Sequence, residues 1–155
     1  MKQRTNNVVV GVALGMLAGV ASVEARGDVL QGPRAVACWG NNGNGQCNIP
    51  AGLGPGTAVA AGDAHTVALK GDGTVACWGY NYYGQCNVPA EVAIVTAVAA
   101  GSNHTVALKD DGTVACWGYN GYGQCNVPAE LATVTAVAAG GSHTVALKGD
   151  ATVAC

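Results

Sequence analysis

Residues 104–118 read HTVALKDDGTVACWG, and this stretch decides the fold. Its side chains alternate with a period of two, so we expect Val106 and Leu108 on one face of a strand. The run DDG at residues 110–112 predicts a tight turn, because Gly adopts a positive φ without steric cost. Residues 113–117 then form the return strand. The stretch therefore predicts a β-hairpin.

The residues on either side of this hairpin complete a larger unit. Before it, residues 95–100 (VTAVAA) are a candidate for a short strand that Gly101 ends. After it come a Gly-rich loop, residues 118–123, and a fourth short strand from Gln124 to Val127. No stretch of the unit has helical periodicity over eleven or more residues. Four short antiparallel strands in about 40 residues are typical of one β-propeller blade.

The unit recurs along the chain with a period of 39 residues. A fixed period of this size indicates a repeat array. We therefore expect residues 26–155 to form an all-β, incomplete propeller of about three blades. Because propellers usually have about four to eight blades, the chain is either a fragment of a longer protein or shares its ring with further chains. The repeats cover residues 38–76, 77–115 and 116–154, and Cys155 opens another copy.

Two strings resemble the repeat of the regulator of chromosome condensation family. They are HTVALKDDGTVACWG from His104 and WGYNGYGQ from Trp117. The family's repeat contains Gly-x-x-His, a Leu before an Asp-Gly turn, and Trp-Gly-x-Asn-x-x-Gly-Gln. The resemblance covers residues 34–155 and departs at Ala151, where the other copies have a turn Gly. It implies a β-propeller of about seven blades, of which this chain holds about three, and it implies protein binding as the activity.

The N-terminus is typical of a secretory signal peptide. Lys2 and Arg4 precede an uncharged stretch, residues 8–23, and Ala25 supplies the small residue at its end. We expect cleavage after Ala25, so that residues 1–25 are a signal peptide and the mature chain is secreted or lies at the cell surface. The alternative is a membrane anchor, but this stretch would span only about 24 Å of a hydrocarbon core about 30 Å thick. After cleavage we expect no membrane span.

Six of the seven cysteines stand in pairs nine residues apart that flank the Trp-Gly loops. If the two members of a pair lie on adjacent antiparallel strands, their Cβ atoms are about 4.5–5.5 Å apart, near the reach of a disulfide. In an oxidising compartment we then expect one disulfide per blade. The candidate pairs are Cys38 with Cys47, Cys77 with Cys86, and Cys116 with Cys125.

A second pairing of the cysteines remains open. It joins Cys47 to Cys77, Cys86 to Cys116, and Cys125 to Cys155. Zinc sites favour closer spacings, such as two residues between ligands, and the sequence contains none of these. We therefore expect neither a metal nor another cofactor.

The three histidines argue for a structural role and against an enzyme. His65, His104 and His143 occupy the same position in each repeat, whereas a catalytic site joins different residues at one place. A serine stands before two of them at two different distances and is missing before the third, so no nucleophile and base have a fixed spacing. We therefore expect a protein without catalytic residues.

Tyrosines are concentrated in two of the Trp-Gly loops. The corresponding loop of the first copy carries Asn41, Asn42 and Asn44 instead. Tyr with Gly and Asn is the composition of adaptable recognition surfaces, and large exposed aromatics in neighbouring loops would form one patch. The alternative is that each Tyr only covers the Trp beneath it. The candidate binding residues are Tyr80, Asn81, Tyr82, Tyr83, Tyr119, Asn120 and Tyr122.

These observations predict a protein-binding module with an unknown protein partner. Nuclear members of the family that this chain resembles are exchange factors and chromatin binders. A signal peptide and disulfides argue against these roles here. Without residues 1–25, five basic and eight acidic residues remain, so the chain lacks the basic surface that nucleic-acid binding needs. A secreted bacterial relative inhibits β-lactamases with aromatic loops, which makes an enzyme inhibitor one alternative, and a purely structural extracellular array is another. Open blade edges also favour self-association.

Overall fold

Within residues 36–155, which the computed structural model describes, every regular element is a β-strand. The predicted signal peptide, residues 1–25, lies outside these residues. The strands form antiparallel sheets of three, and in each sheet the strands are neighbours in chain order. This described part contains no helix long and apolar enough to cross a membrane. The strands are β1 Gly56–Ala61, β2 His65–Lys70, β3 Val75–Gly79, β4 Val95–Ala100, β5 His104–Lys109, β6 Val114–Gly118, β7 Val134–Ala139, β8 Thr144–Lys148 and β9 Val153–Ala154.

The predicted hairpin is present between β5 and β6. Leu108 pairs with Val114 at the end of the ladder, and Gly112 closes the turn with φ 79°. The Asp111 carboxylate accepts hydrogen bonds from the backbone N–H and the hydroxyl of Thr113, at 2.9 and 2.6 Å. The other two sheets repeat this turn with the same Asp-to-Thr bonds. The all-β architecture predicted from the repeat is therefore confirmed.

The prediction of a fourth strand from Gln124 to Val127 is wrong. These residues form a turn and an extended segment outside the sheets. Their backbone groups bond locally, because the Cys125 N–H donates to the Asn120 side chain at 2.8 Å and the Asn126 N–H donates to the Gly123 carbonyl at 2.9 Å. Groups used in this way cannot form a ladder with β6. Each sheet in the described residues therefore has three strands.

The sheets pack side by side as propeller blades, and each neighbouring pair shares a hydrophobic core. The middle strands β2 and β5 are buried along most of their length. Leu69 of the first sheet lies in one buried cluster with Trp117 of the second. Val106 and Leu108 of the second sheet lie in another cluster with Val137 of the third. Each blade thus buries the face of the blade before it, which is how propeller blades pack.

The two outer faces of this array are open within the described residues. Leu147 of β8 is 40% exposed, whereas the equivalent Leu69 and Leu108 are 4% and 5% exposed. Trp39, which precedes the first sheet, is 59% exposed, whereas the equivalent Trp78 is 8% exposed. The described blades therefore agree with the incomplete ring expected from the sequence.

Candidate functional site

The loop that follows each Trp-Gly pair is fastened to the next blade. The backbone carbonyl of Gln85 accepts hydrogen bonds from the Thr105 hydroxyl at 2.8 Å and from the Trp117 indole N–H at 3.0 Å. The Gln46 carbonyl makes the equivalent pair of bonds to the first blade, both at 2.8 Å. The tryptophans therefore join neighbouring blades, and the position of each loop is set by the blade that follows it.

The histidines extend this connection between blades. His65 Nε2 lies 3.1 Å from Thr105 Oγ1, and His104 Nε2 lies 3.2 Å from Thr144 Oγ1. Because the Thr105 hydroxyl donates its hydrogen to the Gln85 carbonyl, its oxygen is left to accept, and His65 Nε2 carries the proton. The Nδ1 atoms of both rings are buried and have no hydrogen-bond partner among the described residues.

Burial favours the uncharged form of these two histidines. Desolvation, followed by the nearby His104, lowers the pKa of His65 to about 4, although Asp63 acts in the opposite direction. Desolvation also lowers the pKa of His104, and the charge of His143 adds to this effect. A neutral imidazole that donates a hydrogen bond to a threonine of the next blade stabilises the contact between blades. This arrangement assigns both residues to the contact between blades.

Each Trp-Gly loop is held in one shape by its own side chains. In the loop after the first sheet, Asn81 Oδ1 accepts from the Cys86 N–H and Asn81 Nδ2 donates to Asn87 Oδ1, both at 2.8 Å. Gln85 Oε1 accepts from the Tyr83 N–H at 3.1 Å. The loop after the second sheet repeats all three bonds. The amides of the predicted binding residues Asn81 and Asn120 thus already hold their own loops.

The structure brings together the cysteines that are nine residues apart. Cys38 and Cys47 form a disulfide, with Cα atoms 5.1 Å apart. The sulfur atoms of Cys77 and Cys86 are 2.6 Å apart, closer than two non-bonded sulfurs approach. The corresponding distance after the second sheet is 2.8 Å. The second cysteine of each pair lies in the turn rather than on the predicted fourth strand, so each pair spans its loop.

The five tyrosines form one continuous surface, which we call the tyrosine patch: Tyr80, Tyr82, Tyr83, Tyr119 and Tyr122. Ring centroids are 5.0 Å apart for Tyr82 and Tyr83, 4.8 Å for Tyr83 and Tyr119, and 5.9 Å for Tyr119 and Tyr122. The contact between Tyr83 and Tyr119 crosses from one blade's loop to the next. Tyr82 and Tyr122 are 79% and 75% exposed. The patch is therefore accessible and extends over two blades.

The alternative prediction for these tyrosines is that each one covers the Trp beneath it. Every aromatic pair within residues 36–155 joins two tyrosines, and none joins a Tyr to a Trp. Trp78 and Trp117 are buried between blades and bond to the loop carbonyls there. The tryptophans are thus covered by neighbouring blades, which leaves the tyrosine rings free for other contacts.

Sequence reasoning missed the residues that fasten the loops to the blades. Gln85 and Thr105 are both buried, and their equivalents recur at the 39-residue period. That recurrence is the one signal that marks them. The glycine three residues before each histidine also has a packing role, which the repeat motif alone does not reveal. At Gly62 an added Cβ would collide with the His65 ring, so a glycine is needed where this ring packs.

A family model described as "Regulator of chromosome condensation (RCC1) repeat" matches residues 57–85 and 95–124. These two ranges each contain one blade and the loop that follows it. No curated protein matches the chain.

Solved structures with a similar fold include three propeller proteins. The ectodomain of the Physcomitrella patens receptor kinase CR4 is 30% identical over 81% of this chain and 36% of that chain, with a TM-score of 0.67. Human WBSCR16 is 24% identical over 73% of this chain and 40% of its own, with a TM-score of 0.65. Yeast RCC1 (Prp20), solved bound to Kap60, is 25% identical over 64% of this chain and 29% of its own, with a TM-score of 0.53. This chain thus spans well under half the length of each. The blades, their repeat motifs and this family match show that residues 57–85 and 95–124 are repeats of the regulator of chromosome condensation type.

Proposed function

We propose that this chain is a protein-binding module that presents the tyrosine patch to its partner. The observation that carries the proposal is the continuity of the patch, in which rings from two blades touch and two of them are about three-quarters exposed. A contiguous apolar surface of this kind on a soluble protein typically marks an interaction site. Tyr is also enriched in protein interfaces and among the residues that contribute most to binding.

The loops that carry the patch are suited to binding because they are already ordered. The side chain of Asn81 holds the loop from inside, and the Gln85 carbonyl fastens it to the next blade. We further propose that the close pairs Cys77–Cys86 and Cys116–Cys125 are disulfides like Cys38–Cys47, which ties both ends of each loop. A surface ordered before binding loses less conformational entropy when it binds.

Relatives of this repeat type support protein binding as the general activity. Yeast RCC1 (Prp20) was solved bound to Kap60, and the structure of Prp20p was described with its binding to Gsp1p and histones. The moss match is a receptor-kinase ectodomain. Together with the disulfide, this ectodomain supports a location outside the cytoplasm, secreted or at the cell surface.

The charges of the described blades do not favour a nucleic acid as the partner. Lys70, Lys109 and Lys148 are spread over three blades, and each pairs with the Asp of its own turn, at 3.3 to 3.6 Å. A nucleic-acid surface gathers such cations on one face. The tyrosine loops, residues 80–84 and 119–123, contain no Lys or Arg.

The test is selection of binders from a displayed library of random peptides. The chain should enrich a set of peptides, and the double variant Tyr83→Ala/Tyr122→Ala should lose roughly tenfold or more of their affinity. Asn44→Ala is the matched control, because Asn44 stands at the equivalent position of the first loop and its side chain makes no hydrogen bond among the described residues. Failure of the parent chain to enrich any peptide would favour a purely structural array.

A further inference from the structure

The tyrosine patch offers a partner a limited set of chemical groups. Its loops, residues 80–84 and 119–123, contain only Tyr, Asn and Gly, so the surface is uncharged. The backbone N–H groups of Tyr80 and Tyr119 bond to Ala64 and Asn103 of the adjacent turns at 2.8 Å. Those of Tyr83 and Tyr122 bond to glutamine side chains, and the two asparagine amides bond within their loops. Ring faces and phenol hydroxyls are the groups that the tyrosine side chains present on this surface.

The hydroxyls are available as hydrogen-bond donors. Within residues 36–155 the hydrogen bonds of the five tyrosines all involve their backbone atoms. A phenol O–H donates to a carbonyl oxygen. The patch therefore combines apolar rings with several unused donors, and it suits a partner segment that has apolar side chains and free carbonyl groups.

The rings are inclined to one another along most of the patch. The interplanar angles are 88° for Tyr82 and Tyr83, 56° for Tyr83 and Tyr119, and 76° for Tyr119 and Tyr122. Rings at these angles do not form one flat aromatic platform, which is the surface on which flat ligands stack. Clefts between aromatic side chains are the sites in which proline rings pack in known proline-rich recognition.

From this chemistry we infer that the tyrosine patch binds a proline-rich segment of the partner in the polyproline II conformation. The inference rests on the proposed function and names the chemistry of its partner. Proline has no backbone N–H to satisfy, and the polyproline II helix has no internal hydrogen bonds, so its carbonyls are free to accept from tyrosine hydroxyls. Its rings are apolar and fit an uncharged surface. The segment is also extended before it binds, which lowers the entropy cost.

The experiment is a calorimetric titration of the chain with a decaproline peptide that is blocked at both ends. We expect saturable binding, and no binding of a Gly-Ser peptide of the same length. Tyr83→Ala should weaken decaproline binding roughly tenfold or more, and Asn44→Ala should leave it unchanged. Tyr83→Phe keeps the ring and removes the hydroxyl, so it should weaken binding by roughly threefold. Circular dichroism of each variant checks that the blades are folded.

The outcomes separate this inference from the proposed function. If decaproline does not bind, but the peptide library still yields patch-dependent peptides without proline, the inference is wrong and the proposed function stands. Binding of a linear oligosaccharide such as cellohexaose in place of decaproline would also overturn the inference, as would decaproline binding that Tyr83→Ala leaves intact. If neither decaproline nor any library peptide binds, both proposals are wrong.

Discussion

At the scale of single residues, the buried histidines determine how the blades respond to acid. The His65 ring is 1% exposed, its Nε2 faces Thr105, and its Nδ1 has no partner among the described residues. A second proton would place a charge at a site where the nearby ionisable groups are His104, which opposes the charge, and Asp63, which favours it. Burial and the charge of His104 outweigh Asp63 and the backbone of His104, which both favour the protonated form, so the pKa of His65 falls to about 4.

We therefore expect the free energy of unfolding to fall as the pH is lowered from about 6.5 to about 4. The pKa of an unfolded histidine is about 6.5. Over this window the unfolded state takes up a proton that the folded state excludes, so stability falls with falling pH, and the contribution of His65 is complete only above the window. The expected loss from His65 is on the order of 3 kcal/mol. Urea unfolding at a series of pH values measures it.

The control for this prediction is His65→Gln. Glutamine keeps an N–H donor toward Thr105 but does not titrate. The variant should therefore lose less stability than the parent over the same window. The turn carboxylates, such as Asp72, have a pKa lowered by hydrogen bonds from Thr74, so their loss occurs below pH 4 and stays separate. Equal losses in the variant and the parent would rule out His65 as the cause.

At the scale of elements, the hairpins follow from local signals, and the segment after them does not. The alternation and the Asp-Gly turn predict β5 and β6 because a strand period and a turn residue act over a few positions. Residues 124–127 are too few to show a period. Two of their backbone N–H groups donate hydrogen bonds to Asn120 and Gly123. Competition from local side-chain bonds is a common reason for such an error.

The candidate site was also predictable in part. The 39-residue period places Tyr80 and Tyr119 at equivalent positions of consecutive loops, and contiguity of the patch follows if blades pack side by side. The fastening of the loops was not predictable from residue types. The Gln85 carbonyl is a backbone atom that every residue has, and only the packing of blades brings Thr105 and Trp117 to it. What the patch binds stays a prediction.

The turn between β8 and β9 contains backbone strain that the other two turns avoid. Ala151 adopts φ 64°, whereas the equivalent Gly73 and Gly112 have φ 82° and 79°. An L-residue in the left-handed region costs about 1–2 kcal/mol. We expect Ala151→Gly to raise the free energy of unfolding by about 0.5–1 kcal/mol, because relief of strain exceeds the added entropy of glycine in the unfolded chain. Urea unfolding of the variant and the parent measures the difference.

The reverse change at the equivalent turn is the matched control. Gly112→Ala introduces the same strain, and its new Cβ would lie in ordinary contact with Thr133 at 3.4 Å. It should lower the free energy of unfolding by about 1 kcal/mol. If neither variant differs from the parent in stability, the conformation of this turn does not limit the stability of the blades.

At the scale of the whole molecule, the two end faces of the array of blades differ. The second and third blades cover Leu69 and Leu108 of the blades before them, and the equivalent Leu147 is open within the described residues. Trp39 is exposed on the opposite side of the array. The two faces differ, so contact between them joins copies head to tail and not through a two-fold axis. The repeat thus provides a surface that fits another blade of its own kind.

We expect the chain to associate with itself through the open face of its third blade. Burial of Leu147 against a second copy would remove apolar surface from water, as it does at the two blade contacts within the chain. Sedimentation velocity at increasing concentration should show a rising average mass, and Leu147→Lys should weaken the association roughly tenfold or more by placing a charge in the contact. Tyr82→Ala, on the tyrosine patch, should leave it unchanged. If instead Tyr82→Ala abolishes the association and Leu147→Lys does not, the copies meet through the patch, and the open blade face is not a site of self-association.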